Sequence, residues 1–230
     1  MDELKAIFFD ADGTLVNHKE CEKQALIYVF NAIGEEYKNE YQEIFRSIEQ
    51  TIWDNESYGG TYVSRKNVFT YRFKLLFEKL NISYENDAKA NEFFKIGLAD
   101  SVALNDNAVE IVEYLYAKKY LICVVTNGLV KLQRPRVANI QLSEFISHII
   151  VSEEVREHKP SPLIFNELLK RISMKPCNVI MVGDSLKNDI QGAKNAGIKS
   201  VWYNPENHKN ETDILPDYEI NDLLQLKEML

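Results

Sequence analysis

The sequence contains few cysteines and few residues that break regular structure. Its 230 residues include three cysteines, nine glycines and six prolines. Cys21, Cys123 and Cys177 are odd in number and widely spaced, so they fit neither a disulfide framework nor a zinc site. Free thiols are typical of a reducing compartment, and the expected location is therefore the cytoplasm.

Basic clusters and long apolar runs are missing as well. Acidic residues outnumber Lys and Arg by 35 to 27, which gives a net charge of −8. Because nucleic acids and anionic membranes are bound mainly through Lys and Arg, neither is an expected partner. No apolar stretch is long enough to span a bilayer, and Asp2 and Glu3 do not favour a secretory signal. A small phosphorylated substrate remains compatible with this composition if a metal and local cations offset the charge.

A short apolar run near the N-terminus ends in two carboxylates. Ala6 to Phe9 predicts a strand buried on both faces of a parallel sheet, and Asp10 and Asp12 follow it. Two carboxylates at the end of a buried strand are costly unless a cation neutralises them. The loop therefore suggests a nucleophilic aspartate, a second acid and Mg2+, although an Asx turn capping the next helix fits the same residues.

The hydrophobic pattern divides the chain into two regions. Residues 17–99 show helical periodicity alone, whereas strands and helices alternate from Asn107 onwards. The alternation predicts an α/β fold with a doubly wound parallel sheet and right-handed crossovers. We expect a catalytic core of residues 1–16 and 100–230 with an inserted all-helical domain of residues 17–99.

Polar residues follow four of the predicted strands. They are Asp10 and Asp12, then Thr126, Asn127 and Gly128, then Lys159, and finally Asp184 with Asp189. Taken singly, these segments are typical of turns, solvated loops and helix caps. Their appearance in this order, each after a predicted strand, instead favours one site for phosphoryl transfer through a covalent aspartyl phosphate.

This chemistry gives the residues around the phosphate distinct roles. Asp10 would attack phosphorus, and Lys159 with Mg2+ would supply positive charge to a highly charged transition state. The Thr126 hydroxyl and the backbone amides of Asn127 and Gly128 would hold the phosphate oxygens.

The acidic residues divide into metal ligands and a proton carrier. Mg2+ prefers a few oxygen ligands, which Asp10, the Asp12 backbone carbonyl and Asp184 could supply. Asp189 would not bind the metal directly but would orient a metal-bound water or pair with Lys159. The Asp12 side chain would hold a proton for the leaving alkoxide and later take one from water.

These four segments resemble the motifs of the haloacid dehalogenase-like hydrolase superfamily. The resemblance lies in four segments, which are Phe8 to Leu15, Val124 to Gly128, Lys159 to Phe165, and Val182 to Ala193. The resemblance implies a Rossmann-like core, a helical cap after the first motif, and Mg2+ as cofactor. Within this superfamily, an acid at Asp12 points to phosphatases or phosphomutases rather than dehalogenases.

The chain is also similar to the bacterial pyrimidine 5′-nucleotidases of this superfamily. The similarity lies in Thr126 to Gly128 leading to Gln133 and Arg136, and in stretches around Trp53, Tyr71 and Trp202. It implies a nucleoside 5′-monophosphate as substrate. The candidates for substrate specificity are Trp53, Tyr58, Arg72 and His18.

Two other functions stay open from the sequence. One is a sugar-phosphate phosphatase or a beta-phosphoglucomutase-like enzyme with the same core. The other is a phosphate-sensing, receiver-like binding module, which would have no need of Asp12 as an acid. A monomer or a homodimer is compatible with either.

Overall fold

The computed structural model describes residues 4–54 and 62–230, and the side chains of all of these except residues 53, 54 and 62–70. The chain divides into two compact units. The core unit comprises Met1–His18 and Val102–Leu230, and the helical unit comprises Lys19–Ser101.

The core unit is built on a six-stranded, wholly parallel sheet. Its strands are β1 (Ala6–Phe9), β2 (Leu121–Thr126), β3 (Ile146–Val151), β4 (Val179–Gly183), β5 (Lys199–Tyr203) and β6 (Tyr218–Ile220). The spatial order is β3-β2-β1-β4-β5-β6, so Phe8 of β1 lies between Cys123 of β2 and Met181 of β4. Because the strand order reverses beside β1, the loops after β1, β2 and β4 meet where ligands bind in such sheets.

Helices account for most of the remaining described chain. They are α1 (His18–Ile33), α2 (Glu40–Asp54), α3 (Tyr62–Leu80), α4 (Asp87–Asp100), α5 (Ala108–Ala117), α6 (Val130–Asn139), α7 (Ser152–Val155), α8 (Pro162–Arg171), α9 (Gln191–Asn195) and α10 (Leu226–Met229). Strands and helices alternate from α5 onwards, which confirms the predicted α/β fold class. None of the described helices is long and apolar enough to cross a membrane.

The core forms because the apolar runs of the central strands are buried completely. All four residues of β1 and all five of β4 are buried. Phe8 and Met181 belong to a hydrophobic cluster with Val125 of β2 and Phe165 of α8. Burying side chains of this size stabilises the fold by about 1.5–3 kcal/mol each. The rigid sheet therefore fixes the positions at which its polar loops begin.

Two helices differ from what the sequence predicts. Pro135 is expected to interrupt or shorten a helix, yet α6 runs without a break through it. The sequence pattern of residues 187–195 predicts a single α-helix, whereas the structure has a π-helical turn, Leu186–Ile190, continued by α9. Such turns are frequent at functional sites, and this one carries Asp189.

The helical unit has an aromatic interior. The rings in mutual contact are Phe30, Phe45, Phe73, Phe77 and Phe94. Arg72 lies among them, with its guanidinium carbon 4.4 Å from the centre of the Phe94 ring. Its side chain pairs with Glu49 and donates to Asn91 Oδ1 at 3.0 Å, which compensates the burial of its charge.

Candidate active site

The loop after β1 places Asp10 at the centre of the sheet edge. The Asp10 amide donates to the Val182 carbonyl at 2.9 Å, which continues the pairing of β1 with β4. Asn105 Nδ2 donates to the carbonyls of Gly13 and Thr14 at 2.8 and 2.9 Å. These contacts fix the loop on both sides, and the Asp10 side chain is buried.

Lys159 reaches the same point from the loop after α7. Its buried Nζ donates to Asp10 Oδ1, to Asp189 Oδ1 at 2.7 Å and to the Val125 carbonyl at 2.8 Å. Burial by itself would lower the pKa of Lys159, but Asp10 and Asp189 raise it above its ordinary value. The ammonium is therefore held charged, facing the predicted nucleophile.

Three carboxylates converge around this ammonium. Oxygens of Asp10, Asp184 and Asp189 lie within 4.8 Å of one another. Burial and the charges of Asp189 and Asp184 raise the pKa of Asp10 well above its ordinary value, against the effect of Lys159. Asp184 is exposed as a residue, yet desolvation of its carboxylate and the charge of Asp189 raise its pKa to about 7.

This donor set fits Mg2+. The cluster offers only carboxylate oxygens, which Mg2+ prefers, and a divalent cation would remove the repulsion that raises both pKa values. Asp189 already accepts from Lys159 through Oδ1 and from the Ser185 amide through Oδ2 at 3.0 Å. Asp10 and Asp184 have fewer contacts of this kind, which leaves their oxygens the better placed to bind a metal directly.

Asp12 is surrounded by donors from α6. Its Oδ2 accepts from Gln133 Nε2 at 2.7 Å and from Arg136 Nη1 at 3.0 Å, and its Oδ1 lies 2.6 Å from Arg136 Nη2. His18 Nδ1 is 3.3 Å from Oδ1. Burial alone would raise the pKa of Asp12, but Arg136 and His18 hold it well below its ordinary value. These contacts favour the ionised form of Asp12 in this structure, and its role as a proton carrier toward a substrate stays a prediction.

The loop after β2 is tied to the loop that carries Lys159. Asn127 Oδ1 accepts from the Lys159 amide at 2.8 Å, and Asn127 Nδ2 donates to the Lys159 carbonyl at 3.2 Å. The Thr126 hydroxyl is buried and donates to the Asn127 carbonyl at 3.4 Å. The Gly128 amide donates to Ser152 Oγ at 2.9 Å, so it is not available to a phosphate in this arrangement, contrary to expectation.

The candidates for substrate specificity lie in different settings. Among them, His18 lies in the core unit beside Asp12, with its side chain 41% exposed. Arg72 is part of the interior of the helical unit and pairs there with Glu49, so its contacts are those of a packing residue. Tyr58 and the side chain of Trp53 lie outside the described residues. The proposed roles of all four toward a substrate stay predictions.

Three residues that shape this site have no role predicted from the sequence. The sequence points to Gln133 and Arg136 only through the similarity to pyrimidine 5′-nucleotidases. Their spacing of three residues nevertheless places them on one face of α6. Ser152 follows directly after β3 and is completely buried, where its hydroxyl also lies 2.9 Å from His158 Nδ1. Its position at a strand end, like that of Asp10 and Thr126, is the signal that could have identified it.

The chain is similar in sequence to known phosphatases and in structure to a solved hydrolase. The chain is 27% identical to pyrimidine 5′-nucleotidase PynA of Streptococcus pneumoniae, over 94% of this chain and 90% of that protein. It is 30% identical to glyceraldehyde 3-phosphate phosphatase of Pyrococcus furiosus, over 100% and 94%. The solved structure of the HAD-hydrolase YfnB from Bacillus subtilis, bound to magnesium, is 28% identical, with a TM-score of 0.89 over 100% of this chain and 99% of that one.

The family model described as haloacid dehalogenase-like hydrolase matches residues 7–203. This range contains β1 from its second residue onwards and all of β2 to β5, whereas β6 lies beyond it; it also contains Asp10, Lys159 and Asp184. The chain belongs to the haloacid dehalogenase-like hydrolase family and is an enzyme of that family.

Proposed function

We propose that this hydrolase is a Mg2+-dependent phosphomonoesterase that acts through an aspartyl-phosphate intermediate. The observation that carries the proposal is the contact of the Lys159 ammonium with Asp10 and Asp189, beside the carboxylate of Asp184. A buried nucleophile next to a fixed cation and a metal site is what transfer of a dianionic phosphoryl group requires.

The reaction has two halves. Asp10 attacks phosphorus, the bond from phosphorus to the leaving oxygen breaks, and that oxygen takes a proton. Water then attacks the phosphoaspartate, gives a proton to Asp12, and releases inorganic phosphate. Lys159 neutralises the phosphoryl oxygens throughout, and Mg2+ bound by Asp10 and Asp184 would supply further positive charge there.

The ionised state of Asp12 suits the second half directly, because a carboxylate accepts the proton of the attacking water. In the first half, a dianionic phosphate beside Asp10 brings negative charge close to Asp12. Negative charge raises the pKa of a neighbouring carboxyl group, so the bound substrate itself favours the protonated form that donates to the leaving alkoxide.

We further propose that the substrate is a nucleoside 5′-monophosphate with a pyrimidine base, in the cytoplasm. The support is the likeness to PynA over nearly the whole chain, together with the Thr126 to Gly128 stretch that leads to Gln133 and Arg136. A sugar-phosphate phosphatase is the second candidate, since the likeness to glyceraldehyde 3-phosphate phosphatase is of similar extent.

Phosphate release in the presence of Mg2+ tests these proposals. The substrates would be pyrimidine and purine 5′-monophosphates and a set of sugar phosphates that includes glyceraldehyde 3-phosphate. We expect kcat/KM to be highest for the pyrimidine nucleotides, whereas a sugar phosphate as best substrate would favour the second candidate. No multiple turnover with any phosphomonoester would overturn the proposed reaction itself.

The nucleophile is tested by Asp10→Asn, which removes the attacking oxygen at nearly constant volume. We expect kcat to fall below about one thousandth of the wild-type value. The matched control is Asp213→Asn, an exposed carboxylate of the core unit, which should leave kcat unchanged. Substantial activity in Asp10→Asn protein with an unaltered melting temperature would refute this role.

A further inference from the structure

The Asp12 carboxylate is contacted by two side chains that lie on one face of α6. Gln133 Nε2 and two nitrogens of Arg136 lie within 2.6–3.0 Å of its carboxylate oxygens. Both side chains are buried, at 4% and 3% exposure, so α6 holds them in place by packing. Buried donors of this kind restrict a carboxylate more than exposed ones, because water does not compete for it.

The two donors are also joined to each other. Arg136 Nη1 donates to Gln133 Oε1 at 3.1 Å, which fixes the orientation of the Gln133 amide. The amide then has its Nε2 directed toward Asp12, and Arg136 contacts both carboxylate oxygens. The contact with one oxygen is a hydrogen bond from Nη1 and the contact with the other is an ion pair with Nη2, so together they restrict the orientation of the carboxylate as well as its position.

The same network reaches the phosphate-binding loop. Gln133 Nε2 donates a second time, to the Asn127 carbonyl at 3.1 Å. Asn127 in turn binds both backbone groups of Lys159 through its side chain. Asp12 and Lys159 are therefore connected through a short chain of buried or half-buried hydrogen bonds.

We infer that Gln133 and Arg136 are positioning residues that hold the Asp12 carboxylate at a fixed place relative to the phosphate-binding loop. The inference rests on the proposed phosphomonoesterase function, and it assigns these residues to the leaving-group step rather than to phosphate binding. A proton carrier has to lie within hydrogen-bond reach of the leaving oxygen, and a displacement of about 1 Å can cost a large factor in rate.

The test compares two leaving groups in wild-type and variant enzymes. One substrate is the best alkyl phosphomonoester of the phosphate-release screen, whose alkoxide needs a proton to leave. The other is 4-nitrophenyl phosphate, whose phenolate leaves without one. We expect Arg136→Ala to lower kcat/KM, which reports the steps up to release of the leaving group, by about 100-fold with the alkyl ester and by less than about 10-fold with the aryl ester.

Further variants separate positioning from folding. Arg136→Lys keeps the charge near Asp12 and should recover at least part of the lost kcat/KM with the alkyl ester. Gln133→Leu should reproduce the same leaving-group selectivity if Arg136→Ala fails to fold. Arg134→Ala is the matched control, because Arg134 lies on the same helix, is exposed, and pairs with Glu154.

A double variant gives the sharpest result. In an Asp12→Ala background, replacing Arg136 should cost no further activity, since the group that it positions is gone. Equal losses of kcat/KM with both substrates, or additive losses of kcat/KM in the double variant, would overturn the inference while leaving the proposed function intact. A wild-type enzyme without activity on either ester would overturn both.

Discussion

Arg72, a candidate for substrate specificity, has its contacts inside the helical unit. An arginine on a cap helix is a reasonable candidate for reading a base or a phosphate. In the structure, its guanidinium pairs with Glu49, donates to Asn91 and lies over the Phe94 ring. A planar cation that stacks and forms two directed contacts stabilises the interior of the helical unit.

We therefore expect Arg72→Met to lower the free energy of unfolding by about 3 kcal/mol, because it leaves Glu49 without its buried partner. Urea denaturation followed by circular dichroism would measure this change. Lys74→Met is the control, since Lys74 and Glu78 are exposed and 4.0 Å apart, and its effect should stay below about 1 kcal/mol. A change of similar size in both variants would contradict the interior role of Arg72.

The loops after the strands carry the site, and close packing fixes their paths. Gly13 has a φ of +93°, and a Cβ built there would lie 2.4 Å from Asp184 Oδ2. Glycine at this position therefore serves two needs, a left-handed backbone and room for the Asp184 carboxylate of the candidate metal site. The loop after β1 can approach the loop after β4 because it has no side chain at that point.

We expect Gly13→Ala to displace Asp184 and weaken Mg2+ binding by 10-fold or more, by analogy with other changes in groups that orient metal ligands. The measurement is the Mg2+ concentration that gives half of the maximal thermal shift. Gly34→Ala is a matched control, because Gly34 also has a positive φ, +81°, but nothing lies within 4 Å of a Cβ there. Equal Mg2+ affinity in the two variants would argue against the crowding of Asp184.

The protein as a whole is acidic, and its site concentrates negative charge. The raised pKa values of Asp10 and Asp184 mean that the folded chain holds protons that the unfolded chain releases. Between about pH 4 and the folded pKa of about 7 for Asp184, this linkage makes the free energy of unfolding rise as the pH falls. The lowered pKa of Asp12 acts in the opposite direction, and its stabilisation is lost only at more acidic pH.

The melting temperature of the metal-free protein should accordingly increase when the pH is lowered from about 8 to about 5.5. Mg2+ replaces the protons as the neutralising charge, so it should raise the melting temperature most at the higher pH and flatten the profile. Differential scanning calorimetry with EDTA and with Mg2+ measures both effects. Asp184→Asn should flatten the metal-free profile and reduce the Mg2+ shift, and an unchanged profile would argue against the charge cluster.

Much of this could be predicted from the sequence. Apolar runs of four to six residues predict the central strands β1, β2 and β4, because a strand buried on both faces tolerates few polar residues. Polar residues after those runs identified Asp10, Thr126, Lys159 and Asp184, because the carboxyl ends of neighbouring parallel strands meet at one edge.

The sequence by itself determined the α/β core, the helical insertion and the segments that form the site, since these depend on local periodicity and strand ends. Only the tertiary structure decided which donor faces which acceptor. Arg136 and Asp12 are 124 residues apart, and Asn127 and Lys159 are 32 apart. Such pairs depend on how loops and helices pack on the sheet, and that packing decided the partners of the Asp12 carboxylate and of the Gly128 amide.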